Sequence, residues 1–102
     1  MPHNIVWRNT AQDDLRGLYF WIADQADFET ARSYTKRIED YVLKLTEFPN
    51  RGTPRDDLVA GMRTLTYRRR TVIAYRVADE TVEILRVLHG ARDIAAIFLD
   101  GQ

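Results

Sequence analysis

The run from Arg70 to Asp93, RTVIAYRVADETVEILRVLHGARD, limits the possible folds more than any other stretch. Thr71, Val72, Ile73, Tyr75 and Val77 form one block of β-formers, and Thr81, Val82, Ile84 and Val87 form another. Asp79 and Glu80 fall between them, which predicts a hairpin with a two-residue turn. That turn sets an expected register: Val77 opposite Val82, Tyr75 opposite Ile84, Ile73 opposite Arg86, and Thr71 opposite Leu88. One face is then mostly apolar. The other carries Val72, Ala74, Leu85 and Val87, with Arg76 facing Glu83 and Arg70 near His89. An opposite-charge pair across an antiparallel ladder contributes roughly 0.2–1 kcal/mol. The first face therefore reads as core. The second reads as an amphipathic flank open to a partner.

The remaining segments supply what covers the core face. His3 to Trp7 is a strand candidate, and Asn9 or Thr10 is placed to cap a helix, with Thr10 to Asp13 in the outline of a capping box. Ala11, Leu15, Leu18, Tyr19, Ile22 and Ala26 make one apolar stripe at helical spacing. Gly17 weakens that helix by about 1 kcal/mol relative to alanine, which points to close approach of another backbone. Asp27 is a cap for a second helix running to about Glu47, with a stripe of Ala31, Tyr34, Ile38, Tyr41, Val42, Leu45 and Phe48; Pro49 stops it. The short link implies an antiparallel helical hairpin. Asn50 to Gly61 is loop by composition, with Leu58 and Val59 as plugs. Met62 to Tyr67 reads as a strand, Arg68-Arg69 as a turn, and Ile94 to Leu99 as a short final helix capped by Asp93. The order is β-α-α-β-β-β plus a short C-terminal helix. This is the α+β class: an N-terminal strand and a two-helix hairpin packed on a small, mainly antiparallel sheet, with the first strand inserted beside a later one. The length suits a single domain over residues 1–102.

Several function classes are excluded. The chain has no cysteine, which removes disulfide frameworks, thiol catalysis and cysteine zinc sites. No apolar run approaches the roughly 20 residues of a membrane span, and Met1 to Asn4 lacks the charge and apolar run of a secretory signal. The expectation is a cytoplasmic protein without membrane contact. Net charge is zero, yet Leu58 to Ala78 holds five arginines and no acid. Such a patch suits an anionic partner, either nucleic acid or an acidic protein segment.

Chemistry-bearing residues are few. His3 and His89 are the only histidines, so no metal site is expected, and no phosphate-binding loop or nucleophile motif implies a cofactor. Asp56-Asp57 reads as a solvated turn or cap. Arg63, Arg76, His89 and Arg92 could form an anion site or an RNA-cleaving cluster, with arginines on phosphate and His89 as acid or base. The plainer reading is favoured: Arg76 pairs with Glu83, Arg92 with Asp93 or Asp57, and His89 satisfies backbone groups. Arg68-Arg69-Arg70 reads as a wet turn, and Tyr19, Tyr34 and Tyr41 as core. Trp21 falls at the stripe's edge, where a half-exposed indole makes an interface candidate.

Several short motifs occur in a fixed order. They are A-x-x-D-L at Ala11 to Leu15, F-P-x-x-G at Phe48 to Gly52, R-D-D-L at Arg55 to Leu58, and G-M-R at Gly61 to Arg63. V-I-x-Y-R-V at Val72 to Val77 and V-x-I-L-R-V-L-H-G-x-R-D at Val82 to Asp93 complete the series. In this order and spacing, over nearly the whole length, the chain resembles the ParE branch of the RelE/ParE toxins of type II toxin–antitoxin systems. The resemblance implies a helical hairpin on a small antiparallel sheet. It implies a cognate ParD-like antitoxin with a ribbon-helix-helix DNA-binding part and a segment that wraps the toxin, so that DNA is reached only through the antitoxin. It also implies inhibition of DNA gyrase by protein contact, without catalysis. RelE-like members instead cleave messenger RNA on the ribosome, with a basic sheet face and a tyrosine or histidine near the C-terminus. This sequence departs from them: its two lysines, Lys36 and Lys44, lie in the second helix, and its tail offers Ile97 and Phe98.

The expected surfaces follow. Trp21, Val72, Arg76, Leu85 and Val87 are the candidates for antitoxin binding, and Arg92, Ile97 and Phe98 for target binding. The alternatives are a ribosome-dependent ribonuclease using His89, Arg92, Arg63 and Arg76, and a non-toxic partner in antitoxin-led repression.

Overall fold

The computed structural model describes residues 3–90 and 94–100. Its elements run β1 (Asn4–Trp7), α1 (Asn9–Gln25), α2 (Phe28–Leu43), a 3-10 turn (Lys44–Thr46), β2 (Thr53–Pro54), β3 (Met62–Tyr67), β4 (Thr71–Ala78), β5 (Thr81–His89) and α3 (Ile94–Asp100). The sheet order is β1-β5-β4-β3-β2. Only β1 runs parallel to its neighbour, so the α+β class and the inserted first strand hold. A short two-residue strand, β2, lies inside the stretch expected to be pure loop.

The α1–α2 hairpin covers one face of the sheet. Ala11, Leu18 and Ile22 from α1, and Ala31, Ile38 and Val42 from α2, are buried against Ile73, Tyr75, Val82, Ile84 and Val87. Asp27 caps α2 as expected, accepting from the Thr30 amide at 2.6 Å. The expected cap of α1 is absent. The helix begins at Asn9 with Arg8 as its cap, and no side chain there bonds the exposed amides. Thr10 is drawn away instead, donating to the Leu85 carbonyl at 2.9 Å. Asp13 pairs with Arg16. Phe48, placed on the α2 stripe by periodicity, lies beyond the 3-10 turn and is 65% exposed.

The β4–β5 hairpin keeps its expected register only near the turn. Val77 faces Val82, Tyr75 faces Ile84 and Arg76 faces Glu83. A bulge then intervenes: Ala74 pairs with Arg86, so Leu85 is the extra residue on β5. Beyond it Ile73 faces Val87 and Thr71 faces His89, in place of Arg86 and Leu88. The physical reason is plain. The unbroken register would bury the Arg86 guanidinium opposite Ile73, whereas one extra residue swaps it for Val87.

The F-P-x-x-G segment is an anchor for the loop. The Tyr75 hydroxyl donates to the Pro49 carbonyl at 2.7 Å and accepts from the Gly52 amide at 2.8 Å. Arg63 donates to the carbonyls of Asn50 and Gly52. A Cβ on Gly52 would stand 2.7 Å from that hydroxyl and 3.0 Å from the Thr64 carbonyl, so only glycine fits. Asp56 accepts from the Gly61 amide and Asp57 pairs with Arg55, which makes the acidic pair a loop brace.

Candidate functional site

β1 accompanies β5 only from Thr81 to Ile84. Past that point the outer edge of β5 needs other partners, because unpaired buried amides and carbonyls are costly. α1 supplies them. The Arg8 amide donates to the Ile84 carbonyl, Thr10 to the Leu85 carbonyl, and the Val87 amide donates to an Asp14 carboxylate oxygen at 2.9 Å. Arg86 closes the clamp with two bonds to Asp14, at 2.7 and 3.0 Å. That pairing holds the guanidinium above its ordinary pKa, chiefly through the hydrogen bonding it donates to the Asp14 carboxylate. The A-x-x-D-L motif thus carries a fastening between helix and sheet. Sequence reasoning missed the pair, although an arginine forecast on a core face was a signal that it needed a buried acid.

Beyond the clamp, α1 and the end of β5 diverge and leave an open groove of about 770 Å³. Gly17, Leu18 and Trp21 line it from α1, His89 from β5, Arg70 from the turn before β4, and Ile97 from α3. Trp21 is 51% exposed. Its ring lies 5.4 Å from the His89 imidazole, and Tyr34 meets the same imidazole edge-on at 6.1 Å. His89 Nδ1 is 2.9 Å from the Thr71 hydroxyl, which is itself 3.1 Å from the Tyr34 hydroxyl. His89 therefore satisfies a buried side-chain hydroxyl, not backbone groups as expected. Burial, and then the nearby Arg70 charge, lower its pKa below the usual imidazole value. Among the described residues nothing outside the local helix lies within 4 Å of where a Gly17 Cβ would stand, so none of them makes the close approach that the glycine suggested.

The expected binding flank changes shape. The bulge turns Val87 into the main core, where it is 4% exposed. Leu85 is 9% exposed in a second cluster with Met62 and Ala74, and Leu58, Val59 and Phe98 pack over it. Phe98 thus faces inward. Val72 is half-buried, and Arg76 bonds Glu83 at 2.8 Å. Of the expected antitoxin contacts only Trp21 stands well out; of the expected target contacts Ile97 lines the groove, and Arg92 lies outside the described residues.

The proposed cleavage cluster does not converge. His89 pairs across from Thr71, and Arg76 lies five residues further along β4, about 17 Å at strand rise. Parity had put the two on one face. The bulge sends His89 to the helix side, while Arg76 stays opposite Met62 on the other. Arg63 is committed to loop carbonyls. Among the described residues no group of three His, Asp or Glu could hold a metal, and no helix is long and apolar enough to cross a membrane.

Comparison with known proteins gives a consistent family. The profile described as ParE toxin of type II toxin-antitoxin system, parDE, matches residues 5–94. The chain is 34% identical to Toxin ParE3 of Caulobacter vibrioides over 92 residues, 90% of this chain and 91% of that one. It is 30% identical to Toxin ParE2 of Mycobacterium tuberculosis over 98 residues, 95% and 90% of the two. Among solved structures, a chain of the chromosomal ParDE toxin–antitoxin system from P. aeruginosa superposes with a TM-score of 0.77 at 28% identity, covering 87% of this chain and 97% of that one. A chain of the toxin–antitoxin complex RelBE2 from Mycobacterium tuberculosis gives 0.67 at 26% identity, covering 87% and 99%.

Proposed function

The chain belongs to the ParE toxin family of type II toxin–antitoxin systems, and from that premise we propose that it is a cytoplasmic toxin acting by protein contact on DNA gyrase. In this reading it is neutralised by a ParD-like antitoxin. The observation that carries the reading is the groove between α1 and the end of β5. Its floor is apolar at Leu18, its rim holds a half-exposed indole, and Arg70 beside it has no acid partner among the described residues. Such a groove takes an amphipathic segment with an apolar anchor and a neighbouring carboxylate, folding as it binds. Target contact falls on α3, where Leu99 is exposed and Ile97 reaches the groove. An antitoxin segment lying in the groove would touch Ile97 and occlude that side, so neutralisation is steric.

Two assays test this. Trp21→Ala should weaken binding of the antitoxin by about 2 kcal/mol or more, as loss of a central aromatic anchor does; unchanged affinity removes the groove from the interface. Purified gyrase should lose supercoiling activity as the toxin is added, and full supercoiling at excess toxin refutes the target. A second reading, message cleavage, follows from the resemblance to RelE-like toxins and from His89 lining the groove. It requires cleavage in a translation extract that His89→Ala abolishes.

A further inference from the structure

The six ion pairs among the described residues engage Arg8, Arg16, Lys36, Arg55, Arg76 and Arg86. Eight other described cations take part in none: Arg63 is bonded to loop carbonyls and Arg32 lies on another side of α2, while Arg37, Lys44, Arg51, Arg68, Arg69 and Arg70 gather on one flank. Tyr34, Arg37 and Tyr41 on α2, and Lys44 at its C-cap, recur at three- and four-residue spacing and so form one stripe. The β3–β4 turn meets that stripe: the Tyr67 ring lies 5.7 Å from Tyr34 and 5.1 Å from Tyr41. Lys44 and Arg51 stand over the Tyr41 ring at 5.9 and 5.5 Å, and Arg68 over Tyr67 at 5.6 Å. Nearby acids are few. Asp40 is held by Lys36, and Glu29 and Glu47 sit at the two ends of the stripe. A chain of zero net charge thus carries six of its eight described cations outside ion pairs on one flank.

The turn itself adds a second observation. Arg68 and Arg69 have φ of 53° and 64°, and the Arg70 amide closes the turn on the Tyr67 carbonyl at 3.2 Å. Two successive left-handed residues are the geometry for which asparagine and glycine are suited and a long L side chain is not. The chain nonetheless carries two guanidiniums at that tip, against local preference. Strain held at a surface tip is a pointer to function.

We propose that this flank, formed by α2 and the β3–β4 turn, is a docking surface for the phosphate backbone of duplex DNA. The chemistry favours phosphates over bases, because Tyr34, Tyr41 and Tyr67 pack ring against ring and those of Tyr41 and Tyr67 lie beneath cations, which disfavours base stacking. It favours a polyanion over an acidic peptide because the apolar floor at Leu18 and the indole of Trp21, which a peptide anchor would use, lie in the groove on the far side of Tyr34 and not among these cations. Direct contact with DNA departs from the expectation that DNA is reached only through the antitoxin, and it does not depend on gyrase as the target.

The test is fluorescence anisotropy of a short labelled duplex of arbitrary sequence with the purified full chain, at several salt concentrations. With about four to six phosphates neutralised, affinity should fall roughly 10²–10³-fold between about 50 and 200 mM salt. The double variant Arg68→Asn/Arg69→Gly installs a well-suited turn while deleting two charges. It should melt no lower than the parent, yet bind roughly tenfold to a hundredfold more weakly, with the salt slope reduced by about 2. Absence of salt-dependent binding by the parent overturns the proposal, as does undiminished binding by the variant. Competition by poly-glutamate equal to that by duplex assigns the flank to an acidic polypeptide instead, and preference for single strands overturns the phosphate argument. Neither gyrase nor antitoxin is present, so failure here leaves the toxin reading standing, and the reverse.

Discussion

Asp14→Ala tests whether α1 is fastened to β5 by the clamp. Asp14 is 15% exposed at its side chain and Arg86 31%. Removing the carboxylate leaves the Val87 amide, on a residue 4% exposed, without its acceptor. A stranded buried donor costs about 1–3 kcal/mol. The ion pair adds less, because Arg86 is nearly a third exposed and water screens it; about 0.5–1 kcal/mol is reasonable. The sum is about 1.5–4 kcal/mol, which for a domain of this size lowers Tm by roughly 6–30 °C. Urea unfolding with a shared m-value measures it. Asp14→Asn keeps one neutral oxygen for the amide and should lose about 1 kcal/mol. Arg86→Met keeps the apolar stem, so a double-mutant cycle isolates the pair from the amide bond. If Asp14→Ala moves stability by less than about 0.5 kcal/mol, the edge of β5 is satisfied some other way and the clamp is not what sets the groove wall.

Gly17→Ala should raise stability by about 0.8–1 kcal/mol, because the added Cβ meets only open space and the helix gains propensity; thermal melting checks it, and the same variant should weaken any partner backbone seated at that position. His89 has a folded pKa below its ordinary 6.5, so the folded state binds fewer protons than the unfolded one between those values. Stability is then fully present above about pH 6.5 and falls as pH drops below it. The decline should be shallower in His89→Gln, read from Tm between about pH 7.5 and 5. Tyr75→Phe strands the Gly52 amide and the Pro49 carbonyl and should destabilise by about 1–3 kcal/mol in urea, more than removal of an exposed hydroxyl would.

Element types were legible in the sequence because periodicity and caps are local. Asp27 capped α2 where the pattern placed it, β3 spans the forecast Met62 to Tyr67, and the Arg76–Glu83 pair sits in the forecast register. What was not legible depends on a single residue of slippage. The bulge at Leu85 reverses the facing of every later residue on β5, so Val87 went inward and His89 changed sides. Leu85 stayed on the forecast flank and was covered there by Leu58, Val59 and Phe98. Thr10 shows a different failure: as a cap it was locally ideal, but the unpaired edge of β5, more than seventy residues away, made a better use of its hydroxyl. Phe48 was counted into a helix that had already tightened into a 3-10 turn. The glycines divide similarly, since Gly52 is required by the packed Tyr75 hydroxyl while Gly17 is required by nothing among the described residues.

That contrast bears on how a domain this small presents two unlike surfaces. The Tyr34 side chain lies between them: its hydroxyl and ring reach Thr71 and His89 toward the groove, and the same ring touches Tyr67 on the cationic flank. Arg70 stands at the same junction, lining the groove while following Arg68 and Arg69 in the turn. A carboxylate arriving in the groove would draw on Arg70, and so would a phosphate on the flank. Two ligands that share one cation bind with negative coupling, and the coupling is reciprocal. The Arg70 backbone is tied through its amide to Tyr67 and through its carbonyl to Gly90, so its one guanidinium can serve either side but not both fully. An acidic segment in the groove should therefore oppose polyanion binding on the flank without covering it.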